Sequence, residues 1–282
     1  GARASGPEAA LADGDVDAVL IASSTDTHAD LVEASARAGK AIFCEKPIDL
    51  DIGRVNAVLD VVADAGVPFF VGFNRRFDPS FRSLHDAVAG GRIGKVEMVA
   101  ITSRDPGLPP LDYLRVSGGL FRDMMIHDLD MARWLMGSEP VLVYAAAAIL
   151  VDGIVAEADD VDSAVVTLKS VTGVLCQINN SRRAVYGYDQ RIEVFGSDGM
   201  ARAENITPTT VEIMDKDGAL TDKPLHFFLE RYADAYRLEF DHFLDCVIDG
   251  AAPLTGGHEG RRALELADAA LESVRTGKPV KV

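Results

Sequence analysis

The sequence predicts an α/β unit with a parallel sheet, followed by an α+β unit with a large, mostly antiparallel sheet. Short apolar runs alternate with helical segments up to Asn74, whereas after residue 140 several strands follow one another without obvious helices between them. The 282 residues are 48% hydrophobic, enough to bury the core of one large or two ordinary domains. We therefore expect two domains, residues 1–75 and residues 76–282.

Three apolar runs predict the strands of the first domain, and each is short enough to be a strand buried on both faces. They are VDAVLIA (16–22), KAIFCE (40–45) and VPFFVGFN (67–74). Two helical segments lie between them, THADLVEASARAG, which ends in glycine, and DLDIGRVNAVLDVVADAG, for which Asp49 or Asp51 is the N-cap. Strands that alternate with helices through short links predict a parallel sheet with right-handed crossovers.

The second domain is predicted to open with a helix around PSFRSLHDAVAGG, a strand KVEMVAITSRD and a helix over residues 118–137. Two long helical segments, residues 226–249 and 257–276, end the chain. Between the helix at residues 118–137 and the helix that begins at residue 226, five strands predict a mostly antiparallel sheet with helices on one face: VLVYAAAAIL, DSAVVTLKS, GVLCQINNSRR, RIEVFG and TVEIMD.

Charge and composition exclude several classes of function. The net charge of −16, from 44 acidic and 28 basic residues, would repel a phosphate backbone, so we expect no nucleic-acid partner. No run approaches the ~20 apolar residues of a membrane span, so we expect no membrane partner. Three scattered cysteines predict neither a disulfide framework nor a metal site, and a reducing, cytoplasmic location fits them best: Cys44, Cys176 and Cys246.

Polar side chains follow the predicted strands of the first domain, where ligands of open α/β sheets bind. Ser23, Ser24, Thr25 and His28 follow the first strand, and the segment CEKP (44–47) follows the second. Lys46 at a strand end, before a proline that restricts the chain, is well placed to hold a charge over a crevice, although an ordinary solvated lysine is the alternative. Arg75 and Arg76 follow the third strand; we expect one of them to face solvent, with surface ion pairs as the alternative for both.

The segment GGLFRDMMIHDLDMARWLMG (118–137) places proton-handling groups on one stripe of a continuous helix. At ~100° per residue, Asp123, His127, Asp130 and Trp134 fall within about 60° of one another. A carboxylate four residues before a histidine can fix its tautomer and make it a better base. An exposed helix pair and a metal pair are the alternatives, and Trp134 is expected to pack. Asp128 falls in the apolar arc, without an explanation from the pattern.

Four segments, in their order and spacing, resemble the glucose–fructose oxidoreductase/inositol dehydrogenase (Gfo/Idh/MocA) family over essentially the whole chain: CEKP, VGFNRRFDPSF, GGLFRDMMIHDLDMARWLMG and YGYDQRIEVFGSDG. The resemblance implies a Rossmann-type nucleotide domain, a substrate domain and NAD-dependent oxidation of a cyclitol hydroxyl, myo-inositol to 2-keto-myo-inositol, with NADP left open as cofactor. A dehydrogenase of another sugar or polyol and a non-catalytic family member are the alternatives. It also implies a homo-oligomer, a dimer or tetramer, that pairs through the flat face of the large sheet.

The resemblance also implies roles for individual residues. His127 would take the hydroxyl proton, oriented by Asp123, while Lys46 steadies the developing alkoxide. The implied contacts with the polyol are made by Arg75, Asp105, Asp130 and Tyr188. The cofactor-binding residues are predicted to be Ser23, Ser24, Thr25, His28, Glu45, Lys46 and Pro47.

One departure from the family pattern concerns the cofactor. No G-x-G-x-x-G motif occurs in the sequence, although a dinucleotide site of this kind begins with that glycine-rich turn. We therefore expect about two strand–helix units to be missing from the front of the nucleotide domain. Without the turn, the pyrophosphate loses backbone donors and a helix N-terminus, so the chain as given is expected to bind cofactor poorly and to be inactive by itself.

Overall fold

A computed structural model describes residues 3–282, which form two compact units. The first unit comprises the chain up to Phe73 together with Arg237–Glu265, and the second comprises Asn74–Tyr236 and Leu266–Val282. The predicted boundary at residue 75 had placed all of the C-terminal helices in the second domain. Aromatic packing explains the difference, because the ring of Phe243 lies edge-on to Phe43, with centroids 5.6 Å apart.

The first unit contains the predicted three-stranded parallel sheet, in the order β1–β2–β3. Its strands are β1 (Ala18–Ile21), β2 (Ala41–Glu45) and β3 (Phe69–Gly72), and its helices are α1 (Pro7–Ala12), α2 (His28–Arg37) and α3 (Ile52–Ala65). Asp51 is the N-cap of α3, as one of the two predicted alternatives, and its carboxylate accepts the Arg54 N–H at 2.7 Å. The parallel α/β prediction is confirmed.

The second unit contains a seven-stranded sheet in the order β12–β5–β6–β7–β4–β8–β9. All neighbours in it are antiparallel except β4 and β7, which are parallel. This confirms the predicted mostly antiparallel sheet, whose strands are β4 (Val96–Arg104), β5 (Pro140–Ala148), β6 (Ser163–Ser170), β7 (Leu175–Ser181), β8 (Asp189–Gly196), β9 (Gly199–Ala203) and β12 (Val280–Lys281).

The predicted strand TVEIMD does not join that sheet. It contributes β10 (Glu212–Asp215), which pairs only with β11 (Gly218–Thr221) in a separate two-stranded hairpin. Every residue of both strands is exposed, so the hairpin has no apolar face buried by the sheet. The alternation in the sequence was therefore correctly read as a strand but assigned to the wrong sheet.

Helices pack on one face of the seven-stranded sheet. α4 (Pro79–Ala89) contacts β9, α6 (Ile126–Met136) contacts β4 and β7, and Phe228 of α7 (Phe228–Arg231) packs against the same core, whereas the short α5 (Leu111–Leu114) contacts the 3₁₀ turn Gly153–Ala158. The helices α8 (Ala233–Ile248) and α9 (Gly257–Thr276) contribute residues to both units. Inward side chains of the strands, such as Ile101 and Val166, form one core with Leu129 and Leu135 of α6. Nearly every residue of α6 is buried, so any charged group on it needs a partner inside the protein.

The helix predicted over residues 118–137 is not continuous, and this expectation was wrong. Residues Leu120–Met124 form a π-helical turn, closed by the Met125 N–H bonding the Leu120 carbonyl at 2.8 Å, and α6 begins only at Ile126. Because a π turn advances by a smaller angle per residue, the ideal α-helical spacing does not apply to Asp123. No helix within residues 3–282 has the length and apolar character that crossing a bilayer requires.

Candidate functional site

The carboxyl ends of β1 and β2 carry the residues that were predicted to bind the cofactor. After β1, Ser23 and Ser24 are exposed and Thr25 is half-buried at the start of a 3₁₀ turn, Thr25–Thr27. Ser24 is the N-cap of this turn and makes no side-chain capping bond, while the hydroxyl oxygens of Ser23 and Thr27 lie 2.5 Å apart. The loop after β1 therefore offers hydroxyl groups that suit the sugar or phosphate oxygens of a dinucleotide.

His28 has a different position from the one expected of a cofactor contact. Its ring is 1% exposed, with Nδ1 2.8 Å from the carbonyl oxygen of Pro47 and Nε2 3.1 Å from that of Ser23. The ring therefore links the loop after β1 to the loop after β2. Within this unit it holds the two loops at the ligand edge of the sheet.

The EKP segment lies at the end of β2. Glu45 and Lys46 are half-buried, Pro47 is buried, and the Lys46–Pro47 peptide bond is cis. Burial raises the pKa of the Glu45 carboxyl, while the charges of Lys46 and His28 lower it. A Cβ on Gly72, at the end of β3, would lie 2.9 Å from Glu45 Oε2, so glycine lets the carboxylate lie against the neighbouring strand.

In the second unit, Asp123 lies in a cluster of polar side chains. Its Oδ1 accepts a 2.8 Å hydrogen bond from the Tyr113 hydroxyl, and its Oδ2 accepts one of 3.5 Å from Arg182 Nη2. Arg182 also lies 4.0 Å from Asp160, whose carboxylate accepts the backbone N–H of Leu120. Burial raises the pKa of the Tyr113 phenol, as does the charge of Asp123. The phenol therefore stays protonated and donates a hydrogen bond to the Asp123 carboxylate.

Asp105 belongs to the same electrostatic environment. Burial raises the pKa of its carboxyl to about 6, and the nearby Arg182 and Arg75 oppose this shift. Its backbone N–H donates to the Ser181 carbonyl at 2.9 Å, which fixes the start of the loop after β4. A carboxyl that titrates near neutrality can act as donor or acceptor toward a hydroxyl.

Both arginines after β3 are buried, so the expectation that one of them faces solvent, and the alternative of surface pairs, were wrong. Arg75 forms a buried ion pair with Asp128, and Arg76 forms one with Asp130. Because α6 is buried almost all round, its carboxylates would be uncompensated charges without these guanidinium groups. This pairing also explains Asp128, which the helical pattern had placed in the apolar arc.

The residues predicted to contact the polyol are thus in different situations. Arg75 and Asp130 are each engaged by a protein partner, whereas Tyr188 is 6% exposed and lies edge-on to the rings of Phe227 and Tyr232. Burial raises the pKa of the Tyr188 phenol well above its usual value, so it stays a neutral donor. Trp134 packs as expected: its ring is stacked on the ring of His85, with the two ring centroids 3.8 Å apart.

A polar network that the sequence analysis did not single out surrounds Arg75. Ser103 accepts from Arg75 at 3.3 Å and donates to Gln190 at 3.0 Å, while Asn180 donates to Asp128 at 2.9 Å. Three buried atoms in this region have no hydrogen-bond partner within residues 3–282: Asn180 Oδ1, Arg182 Nε and Gln190 Nε2. The signal was present in the sequence, since Asn180 and Gln190 interrupt the apolar residues on the inward side of β7 and β8.

Comparison with protein families matches the chain in two parts. Residues 2–73 match the Gfo/Idh/MocA model for an oxidoreductase family with an NAD-binding Rossmann fold. Residues 85–282 match the model for the C-terminal alpha/beta domain of the same oxidoreductase family.

Curated relatives and solved structures agree with these matches. The chain is 55% identical to an inositol 2-dehydrogenase of Rhizobium meliloti, over 95% of this chain and 81% of that protein, and 50% identical to a myo-inositol 2-dehydrogenase of Thermotoga maritima, over 98% and 83%. A crystal structure of scyllo-inositol dehydrogenase from Lactobacillus casei with bound NAD(H) and scyllo-inositol superposes with a TM-score of 0.90 at 28% identity, covering 98% of this chain and 83% of that one. The chain belongs to the Gfo/Idh/MocA family of oxidoreductases.

Proposed function

We propose that the protein oxidises a secondary hydroxyl of a cyclitol with NAD, and that its substrate is myo-inositol, which becomes 2-keto-myo-inositol. The observation that carries this proposal is a set of three buried polar atoms in the region of Arg75 that have no hydrogen-bond partner within residues 3–282: Asn180 Oδ1, Arg182 Nε and Gln190 Nε2. Buried polar atoms without a protein partner call for a water or a ligand. An inositol has a hydroxyl on every ring carbon, so it offers donors and acceptors to Asn180 Oδ1 and Gln190 Nε2.

Support for NAD comes from the Rossmann match and from the loops after β1 and β2. Ser24 and Thr25 present hydroxyls on one loop, and His28 holds that loop to the EKP segment through Pro47. We propose that Ser23, Ser24, Thr25, Glu45 and Lys46 hold the cofactor, while His28 and Pro47 fix the two loops that carry them. NAD, when bound, supplies the hydride acceptor for the carbon that is oxidised.

The protein's own residues handle the proton and the oxygen. We propose that His127 takes the hydroxyl proton as general base, with the Asp123 carboxylate orienting the ring and stabilising it once protonated. The Lys46 ammonium steadies the oxygen as it loses its proton. Arg75, Asp105, Asp130 and Tyr188 are proposed to hold the remaining hydroxyls, and each lost hydrogen bond would cost about 1–3 kcal/mol.

The test is an NADH assay on the protein expressed as its gene encodes it. We expect the wild type to reduce NAD when myo-inositol is added, and we expect kcat to fall by about 100-fold or more in H127N and K46M. The control H226N, at an exposed histidine on the same unit as His127, should keep the kcat of the wild type. Turnover of aldoses without any inositol would favour the alternative of a different sugar dehydrogenase. Turnover of neither would favour a non-catalytic protein.

We also propose that the protein is a homo-oligomer, a dimer or tetramer, in the cytoplasm. In the second unit the sheet face opposite the helices exposes large apolar side chains, among them Met98, Tyr144, Val165, Leu175 and Phe195. Sheet faces that expose several large apolar side chains are typical of interfaces between copies of a chain. Light scattering tests the assembly: we expect V165E to have a lower mass than the wild type, and a monomeric wild type would contradict the proposal. The cytoplasmic location is supported by the three cysteines, which are buried and form no disulfide.

A further inference from the structure

We propose that Arg182 is a positioning residue, which together with Asp160 holds the Asp123 carboxylate in place on the π turn before α6. This inference rests on the proposed role of Asp123. Neither Arg182 nor Asp160 belongs to a motif that the sequence analysis identified, and they reach the cluster from a strand end and a loop that are distant in sequence.

Asp160 anchors the beginning of the π turn. The backbone N–H of Leu120, the first residue of the turn, donates to Asp160 Oδ1 at 2.9 Å and to Oδ2 at 3.1 Å. Helical turns leave their first N–H groups without an internal partner, and this carboxylate provides one. Gly119, with φ +78°, makes room for it, because a Cβ there would lie only 2.5 Å from Asp160 Oδ1.

Arg182 connects this anchor to Asp123. Its side chain is 2% exposed and lies 4.0 Å from Asp160 and 3.5 Å from Asp123. The backbone of Arg182 is itself held, since its N–H donates to the Asp162 carbonyl at 2.9 Å. Tyr113 donates to the other oxygen, so both oxygens of Asp123 accept from side chains outside the turn, and its orientation does not depend on the turn alone.

The charges around Arg182 make its loss consequential. It faces the carboxylates of Asp105 at the end of β4, Asp123 on the π turn and Asp160 before β6, and the Tyr113 phenol comes from α5. Burial raises the pKa of both Asp105 and Asp160, and Arg182 lowers both. Through the proposed pairing of Asp123 with His127, the negative charge left uncompensated without the guanidinium would favour a protonated His127, which cannot act as a base.

The experiment compares R182M and R182K with the wild type across the pH profile of kcat/KM. We expect the R182M substitution to lower kcat by about 10- to 100-fold, with a smaller change in KM. The acid limb of its kcat/KM profile should move to higher pH by about one unit. R182K, which keeps the charge, should restore the position of the limb. R183M, at the exposed neighbouring arginine, is the matched control and should behave as wild type.

A second readout does not depend on turnover. His127 is one of six histidines, and its ring proton resonance can be identified by comparison with H127N. Its NMR titration should move to higher pH in R182M and return in R182K. An R182M protein with an unshifted titration and acid limb would contradict the proposal, even if it were less stable. A wild type that oxidises no inositol would contradict the proposed function instead and leave this titration as the test of Arg182.

Discussion

Arg76 and Asp130 form a buried, two-pronged ion pair, with Arg76 Nε 2.8 Å from Asp130 Oδ2 and Arg76 Nη2 2.6 Å from Oδ1. Their side chains are 7% and 1% exposed. Asp130 was predicted from the family resemblance as a polyol contact, yet both of its oxygens are held by one guanidinium. The contribution of this ion pair to the stability of the fold can therefore be measured separately from any role of Asp130 in binding a substrate.

We expect D130N to lower the free energy of unfolding by about 3 kcal/mol, because the change leaves a buried arginine without its counter-charge. Urea denaturation measures this loss. The control is D241N, which removes an exposed partner of Arg237 and should cost less than about 1 kcal/mol. A D130N protein of normal stability with a raised KM for inositol would mean that Asp130 serves the substrate and not the fold.

Two glycines that both have a positive φ, but with ψ −174° at Gly119 and +14° at Gly137, should respond differently to alanine. Gly119 has φ +78° and no room for a Cβ beside Asp160, whereas Gly137, after α6, has φ +61° and no atom within 4 Å of an added Cβ among residues 3–282. We expect G137A to cost about 1 kcal/mol from the left-handed conformation alone, with kcat unchanged. G119A should cost more and also lower kcat, since it displaces the anchor of the π turn. Equal effects on stability and kcat would contradict this explanation.

Glu239 on α8 should make stability depend on pH. It is 1% exposed, its Oε1 has no partner within the described chain, and burial raises the pKa of its carboxyl well above its usual value, with a further contribution from the charge of Glu45. The folded protein therefore keeps the proton at pH values where the unfolded chain has lost it, so the wild type loses stability as pH rises above about 4.5.

The variant E239Q has no such titration. Its unfolding free energy should exceed that of the wild type by an amount that grows between about pH 5 and pH 8, with a slope of at most about 1.4 kcal/mol per pH unit. Denaturation at several pH values measures the slope. E212Q, on the exposed hairpin strand, is the control and should run parallel to the wild type. A constant difference between E239Q and the wild type would exclude a raised pKa at Glu239.

Asp105 should make substrate binding depend on pH near 6, because burial raises the pKa of its carboxyl to about 6. The protonated acid can donate to a hydroxyl, whereas the carboxylate only accepts. We therefore expect the KM for inositol to change between about pH 5 and pH 7 in the wild type and to lose this dependence in D105N. D112N, at a side chain that is 96% exposed, should keep the dependence of the wild type.

Local patterns in the sequence were sufficient to determine the elements of the first unit. Runs such as AIFC (41–44) are apolar at every position, which is the pattern of a strand buried on both faces, and the alternation of strands with helices leaves only the parallel arrangement. The antiparallel character of the large sheet followed for the same reason, since β6 alternates buried and exposed residues along its length. Residue types and positions also singled out Lys46, Asp123 and His127, and the family resemblance implied their roles toward the hydroxyl.

The partners of those candidates depended on the tertiary structure. Arg75 and Asp128 are 53 residues apart, and the π turn that carries Asp123 is anchored by Asp160, 40 residues beyond Leu120. No periodicity relates such positions, because side-chain spacing along one helix or strand describes only its own faces. The helical repeat predicted where acids and histidine would lie on an ideal helix. The buried charges of other elements decided where they do lie, because each charge removed from water needs a counter-charge or donor at hydrogen-bond distance.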